Sequence, residues 1–589
     1  MALSLLRHSR FGAVLVLGSA FALGACSNDA KKGADAGTTA ATLGTVPAPV
    51  GLMANVFLAT PEVTWQKARL LAGGGALFLP PSFGGMLATL LGLPIGIAGE
   101  IDGGVAVVGA MVDGGTPPTL RSPQGVEAKL PQGSPPPRVA IGIHVKEGGR
   151  FVDQLTKGES ARWSSHVDPT STITALVPKD GRSDVALGVL GNYLLVAPTK
   201  AELTLIGPYV ARTLPSASMP KDDLAIEAPE ASLAGPISAR VKTAWESLKP
   251  KPNATPTVAG ALLSADHAFE TLLGVLGDAS GAWLGVNLEQ GMVRARADLR
   301  AKPGQGPAGK LMAELARGDA KPLLELPADT LVAALWRDHA ADRKAQAEAR
   351  ADTLLELLDK KAEPADRAAL AAVFNDLGAG RGDWFTAGLR FGSTGPSGFV
   401  RSAVTDVDTL TKAMTDLTGL AKQGVFQAWL KEASIDVATK KTTLPNVGQV
   451  DRVRFVLDRK AAAKKGAPMP SGSPSSVDLL YSMDKDLLLA ATGLDASEAY
   501  TEVVKAKTRE REGTSPVRAS IESLGDGVTF ALFAEPLRAI ASLEGHPGEG
   551  PSAPVVLAAG MAPQAGTLWL RVDVANAAVQ ELAGRAFKP

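Results

Sequence analysis

The feature that most constrains the fold is a succession of elements that runs twice along the chain. Val46-Pro47-Ala48 leads into an apolar run at Val50–Leu58, and Leu326-Pro327-Ala328 leads into Thr330–Trp336, with the prolines 280 residues apart. Two helical segments follow each start, Pro61–Ala72 and Phe83–Leu91 in the first half, Ala340–Lys361 and Ala365–Leu377 in the second. Glycines then open an apolar strand in both halves, Gly103-Gly104 before Val105–Val112 and Gly380 to Gly382 before Trp384–Phe391. A further strand and helix come next, Val139–Val145 with Phe151–Leu155 and Phe399–Val404 with Leu410–Leu417. Asn192–Ala197 and Asp486–Ala491 are again apolar, and each precedes a helical segment, Ala201–Arg212 or Asp495–Lys505. A tryptophan strand stands late in each half, Ala282–Val286 around Trp283 and Leu568–Val572 around Trp569. Self-similarity at this period predicts a tandem duplication, with one lobe at 46–320 and a second at 321–589.

Several strands follow one another without a helical crossover. Val185–Val189 and Tyr193–Ala197 flank Leu190-Gly191-Asn192, where Gly and Asn suit the positive φ of a tight hairpin. Val477–Ser482 and Leu487–Ala491 flank Met483–Asp486 in the same way. Parallel strands would need crossovers of a dozen residues or more. The expected fold class is therefore α+β, two lobes that each carry a mainly antiparallel sheet with helices on one face. Two Pro- and Gly-rich stretches, Gly114–Pro137 and Arg459–Ser476, can continue neither a ladder nor a helix and read as enlarged surface loops.

The N-terminus carries a different kind of signal. Arg7 and Arg10 precede an apolar run, Phe11–Leu23, too short to cross a bilayer as a helix. Leu23-Gly24-Ala25-Cys26 ends that run and holds the single cysteine of the chain. This tetrapeptide resembles the lipobox of bacterial lipoproteins. The resemblance implies a signal peptide at 1–25, cleavage before Cys26, and a lipid on Cys26 that attaches the protein to a membrane. Ser27 in place of an Asp resembles the outer-membrane default of such proteins. Residues 26–45 lack bulky side chains until Leu43 and read as a tether. A lone cysteine has no partner thiol for a disulfide or a metal.

Removal of residues 1–25 takes away Arg7 and Arg10 and no acid, which leaves 58 Lys and Arg against 60 Asp and Glu. That balance argues against a nucleic-acid partner, which calls for a basic excess on one face. The start Leu326-Pro327-Ala328-Asp329-Thr330 and the strand–helix–strand order resemble a family of uncharacterised bacterial envelope proteins built from repeated α+β units. That family implies no catalytic residues.

Candidate chemistry is sparse. No histidine among His144, His166, His267, His339 and His546 has a second one three or four positions away, so no metal or cofactor is expected. Ser164-Ser165-His166-Val167-Asp168 holds the residue types of a hydrolase triad, but sequence neighbours seldom supply its geometry, and it reads as a polar loop. Gly304–Lys310 approaches a phosphate loop, yet Leu311 stands where a hydroxyl belongs and Pro307 lacks an N–H. Arg381-Gly382-Asp383 matches an adhesion tripeptide and is given no role. The apolar segment Phe83–Ala98 is either a buried helix or a greasy contact surface, and its second-half counterpart is polar. Met86, Leu87 and Leu90 are accordingly expected to border a groove for an apolar ligand or an envelope protein. The resulting expectation is a non-enzymatic, membrane-anchored envelope lipoprotein. The alternative is an envelope hydrolase whose site, around His166 and Asp168, assembles only in the fold.

Overall fold

The structure, a computed structural model, describes residues 44–71, 73, 79–114, 136–158, 161–181, 184–248, 269–289, 291–302, 306–357, 363–392, 395–464, 475–506, 515–546, 549–562 and 566–586. The signal peptide, Cys26, most of the tether and the centres of the two Pro- and Gly-rich loops lie outside these residues. The chain divides into two compact units, one formed by 1–249, 272–308 and 574–589, the other by 250–271 and 309–573. The boundary expected at 320/321 therefore moves. Residues 309–320 group with the second unit and the last sixteen with the first. Among the described residues no helix is long and apolar enough to cross a membrane.

The fold is α+β with antiparallel sheet. In the first unit the strands are β1 (Leu52–Leu58), β2 (Val107–Val112), β3 (Arg138–His144), β4 (Trp163–Val167) and β5 (Thr174–Pro178), then β6 (Ala186–Leu190), β7 (Tyr193–Ala197), β8 (Leu224–Pro229), β9 (Ala279–Glu289) and β10 (Met292–Ala301). They pair antiparallel in the order β4-β5-β6-β7-β3-β2-β1-β8-β9-β10.

In the second unit they are β11 (Val332–Arg337), β12 (Arg381–Gly392), β13 (Gly395–Val404), β14 (Ile435–Leu444) and β15 (Gly448–Leu457), then β16 (Ser476–Met483), β17 (Leu487–Gly493), β18 (Val528–Ala534), β19 (Val555–Ala562) and β20 (Thr567–Ala575). Their order is β14-β15-β16-β17-β13-β12-β11-β18-β19-β20, with antiparallel ladders from β14 to β19. The two orders are the same, strand for strand. β1 and β11, which follow Pro47 and Pro327, hold the same position in their sheets. Trp283 and Trp569 do not, since Trp283 is on the ninth strand of its sheet and Trp569 on the tenth.

Helices cover both faces of the first sheet, which corrects the expectation of one. Neighbouring residues of a strand point to opposite sides, and here each side meets helices. Leu58, Ile143 and Leu194 pack with Trp65 of α1 (Pro61–Leu71), Phe83 and Leu87 of α2 (Phe83–Leu90), and Phe151 of α3 (Gly148–Thr156). Phe57, Val108 and Leu195 pack on the other side with Leu203, Ile206 and Val210 of α4 (Lys200–Arg212). The C-terminal helix Asn576–Ala586 belongs to this unit, where Val579 packs with Leu71, Leu288 and Val293.

Local chemistry explains several element ends. Ser82 accepts from the Gly85 N–H and caps α2. Gly191, at φ 59°, makes the β6–β7 hairpin possible, with Leu190 opposite Tyr193 across a two-residue turn. Asn192 stays at negative φ, and its side chain accepts from the Gly148 N–H at 3.2 Å instead. That contact brings Gly148 so close that a Cβ there would overlap the Gly191 carbonyl oxygen. Gly148→Ala is expected to cost about 1–3 kcal/mol, as overpacking does, and equilibrium urea unfolding of the purified protein measures it.

Candidate functional site

The segment singled out in the sequence is split by the fold. Phe83–Leu90 is helix α2, and Ile95–Glu100 forms a 3₁₀ turn after Gly92 and Pro94. Met86 (9% exposed) and Leu87 (3%) sit in the first unit's core with Trp65, Phe83 and Leu93, whereas Leu90 is 50% exposed. The three residues do not line one surface. A helix with apolar side chains nearly all round buries most of them, and Leu90 at its C-terminal end is left over.

The polar motifs are also separated from chemistry. Ser164–Val167 is not a loop but part of β4, paired with β5, with His166 exposed opposite Ala175. Asp168 accepts from the Thr170 and Ser171 N–H groups, which together with Lys200 hold its carboxyl below the usual range against a smaller effect of burial. Its role is to close a turn. Ala308, at the start of the helix Pro307–Glu314, donates its N–H to Asp278, and a Cβ at Gly306 would overlap that carboxylate. A carboxylate of this chain thus takes the place that the phosphate-loop reading gave to a ligand. Arg381-Gly382-Asp383 opens β12, with Arg381 on Asp338 and Asp383 on Arg337 at 3.1 Å.

One pair was not legible, because 42 residues separate its members. His144 Nδ1 lies 3.2 Å from Asp102 Oδ2, and the Tyr193 ring meets the imidazole edge-on at 5.3 Å. Burial first, and then the Asp102 charge, push the Tyr193 hydroxyl up. An acid that orients an imidazole is two thirds of a nucleophilic site. Among the described residues, however, no hydroxyl or thiol bonds to His144, and no three His, Cys, Asp or Glu side chains gather for a metal.

The most distinctive surface is an apolar sheet face in the second unit. Trp336 on β11 stands opposite Phe385 on β12 and Phe530 on β18, with ring centroids at 5.7 and 5.9 Å. The next rows on the same face are Ala334 with Ala387 and Leu532, then Val332 with Leu389 and Ala534. Leu557 and Val555 of β19 extend those rows. Every one of these side chains is apolar, yet Trp336 is 43% exposed and Leu389 38%. Phe385, Phe530, Leu532 and Leu557 are half-buried.

Comparison of the two units accounts for that exposure. On the corresponding face of the first sheet, Leu58 stands with Val107 and Leu224, and α1 and α2 lie over that row. In the second unit the corresponding helices pack with one another. Ala351 and Leu355 of α5 (Ala347–Leu357), Leu370 and Val373 of α6 (Pro364–Gly380), Leu420 of α7 (Val407–Leu420) and Val425 of α8 (Gly424–Glu432) form a cluster of their own. Of these helices, α7 places Met414 on this sheet face, against Val453, Tyr481 and Ala490 at the β15–β17 end.

One end of the aromatic row is cationic. The Arg381 guanidinium lies 5.5 Å from the Phe385 ring centre and pairs with Asp338. Arg343 also bonds Asp338, at 2.7 Å, and donates to the Gly378 and Arg381 carbonyls. Burial lowers the Arg381 pKa most, Asp338 opposes this, and the charges on Arg343 and Arg350 lower it further. Two guanidiniums, those of Arg381 and Arg343, therefore share the Asp338 carboxylate.

No protein-family model matches the chain, and no curated protein matches it. Among solved structures, crystal form III of TP0453 is similar at 9% identity and a TM-score of 0.22, over 43% of this chain and 92% of that one. Crystal form I of TP0453 is similar at 10% identity and a TM-score of 0.19, over 44% of this chain and 80% of that one. At these scores the likeness carries no inference about what this chain does.

Proposed function

We propose that this chain is a membrane-anchored envelope lipoprotein, not itself an enzyme, that binds a partner protein or an apolar ligand. Residues 1–25 are its signal peptide, Cys26 its lipidated N-terminus and 26–45 its tether, with the outer membrane as its address. The folded part is a tandem duplication of one α+β lobe, supported by the identical strand order of the two units. The observation that carries the binding reading is the half-exposed face of Trp336, Phe385, Phe530 and Leu389. A side chain of this size left in water forgoes about 1.5–3 kcal/mol of burial, and contiguous apolar surface of that kind marks an interaction site. Met86 and Leu87 contribute by supporting the first lobe from within.

Anchoring is tested by cell fractionation with mass spectrometry of the mature N-terminus. The wild-type protein is expected in the membrane fraction with an acylated Cys26, and Cys26→Ala in the soluble fraction or mislocalised. A mature N-terminus that begins elsewhere, unmodified, would sink the assignment. For binding, Trp336→Ser is expected to abolish capture of whatever co-purifies with the delipidated protein. Unchanged capture would remove the sheet face from the proposal.

A further inference from the structure

We propose that the occupant of the Trp336 face is an amphipathic α-helix of a partner protein, with acidic residues flanking its apolar stripe. This rests on the reading of that face as a binding surface and specifies what it takes. The first unit shows what the corresponding sheet face accepts. There the row Leu58, Val107 and Leu224 lies beneath Trp65 of α1 and Phe83, Met86 and Leu87 of α2. In the second unit α5 and α6 are turned into a cluster with α7 and α8, and the aromatic row keeps the apolar character of a surface meant to be covered.

Dimensions and chemistry favour a helix over a lipid chain. Three neighbouring strands span about 10 Å between the outer two, close to the diameter of a helix at about 10–12 Å. A helix brings its own polar outer side, so a face open to water on one side suits it. An acyl chain on the same face would keep half its surface in water, whereas small apolar ligands are bound where most of their surface is enclosed. Residues at i, i+3, i+4 and i+7 would then meet Trp336, Phe385, Phe530 and Leu389, as in other helix-on-groove contacts. Arg381 sets the charge preference. Its Nη2 is committed to Asp338, an acid that it shares with the Arg343 guanidinium. A carboxylate on the partner helix would complete the balance there, and a lysine would not.

The test uses the mature chain with Cys26→Ala and four probes. They are an 18-residue amphipathic peptide with a Leu/Phe stripe and Glu flanks, the same peptide with Lys flanks, oleate, and phosphatidylethanolamine–phosphatidylglycerol vesicles. Fluorescence anisotropy of labelled peptide is expected to show the Glu-flanked form binding at least tenfold more tightly than the Lys-flanked form. Trp336→Ser and Leu389→Ser should each weaken it at least tenfold. Both side chains are partly exposed, so a thermal melt close to wild type separates lost binding from lost folding. Arg381→Lys should narrow the Glu-over-Lys preference while keeping a cation beside Asp338. If oleate or vesicles bind in a Trp336-dependent way and both peptides are inert, the helix assignment is overturned and the binding face stands. If Trp336→Ser changes the binding of none of the four, both are overturned.

Discussion

Leu87→Asp is expected to unfold the first unit, and Leu90→Asp, three residues further along the same helix, to leave it folded. Leu87 is 3% exposed in α2, packed among Trp65, Phe83 and Leu93 over the sheet residues Leu58, Ile143 and Leu194. Loss of its burial costs about 1.5–3 kcal/mol. The new carboxylate has no described cation beside it in that cluster, so it must be buried unpaired or stay protonated, which adds several kcal/mol. The sum is about 5 kcal/mol or more, comparable to the stability of a whole domain. Leu90 is 50% exposed, so a charge there meets water and changes stability by about 0.5 kcal/mol or less. Hydrogen exchange resolved along the chain is the measurement. Protection should vanish across β1, β3 and β7 in Leu87→Asp and persist in Leu90→Asp. Equal loss in both variants would mean that α2 lies against the sheet by a different face.

Part of this arrangement could be read from the residues and part could not. The antiparallel ladders were legible because short apolar runs with Gly-bounded turns admit few other pairings, as in Leu190-Gly191-Asn192-Tyr193. The place of β1 and β11 followed from the proline starts. The tryptophan landmark failed for a physical reason. Strands 9 and 10 of either sheet are paired neighbours with the same alternation, so a Trp on one looks like a Trp on the other. β4 passed for a loop because four of its five residues are exposed, and a strand wet on both faces has no alternation to show. Which face a helix covers is not written in its own amphipathicity, so α3 and α4 gave no sign that they lie on opposite sides. The aromatic row was illegible for a different reason. Trp336, Phe385 and Phe530 are far apart in the chain, and only the β12–β11–β18 register joins them.

Buried arginines are the other surprise of the second unit, and Arg401 is the most consequential. Arginine in a strand normally signals a solvent face, yet Arg401 on β13 is 1% exposed. The guanidinium donates to the Glu325 carbonyl at 2.9 Å and to the Pro322 carbonyl at 3.4 Å, pairs with the Glu325 carboxylate, and stacks 5.9 Å from the Trp384 ring centre. It thereby ties the Pro322–Glu325 turn, which carries the core residues Leu323 and Leu324, to the central strands. Arg401→Ala removes four partners at once and leaves a void as large as the side chain. The expected loss is about 3–5 kcal/mol, from the cavity left in the core together with the carbonyls left without donors. For a unit of this size that lowers the thermal midpoint by about 2–4 °C per kcal/mol. Arg401→Met keeps the aliphatic stem and most of the volume. Glu325 is 40% exposed and can return to water, so the remaining cost is that of two carbonyls without donors, about 1–3 kcal/mol. Methionine should therefore recover part of what alanine loses. Urea unfolding of the two variants decides between packing and pairing. If both lose the same amount, the ion pair and its carbonyl bonds hold the turn. If methionine is as stable as the wild type, the arginine serves chiefly to fill space, and its charge is incidental to the fold.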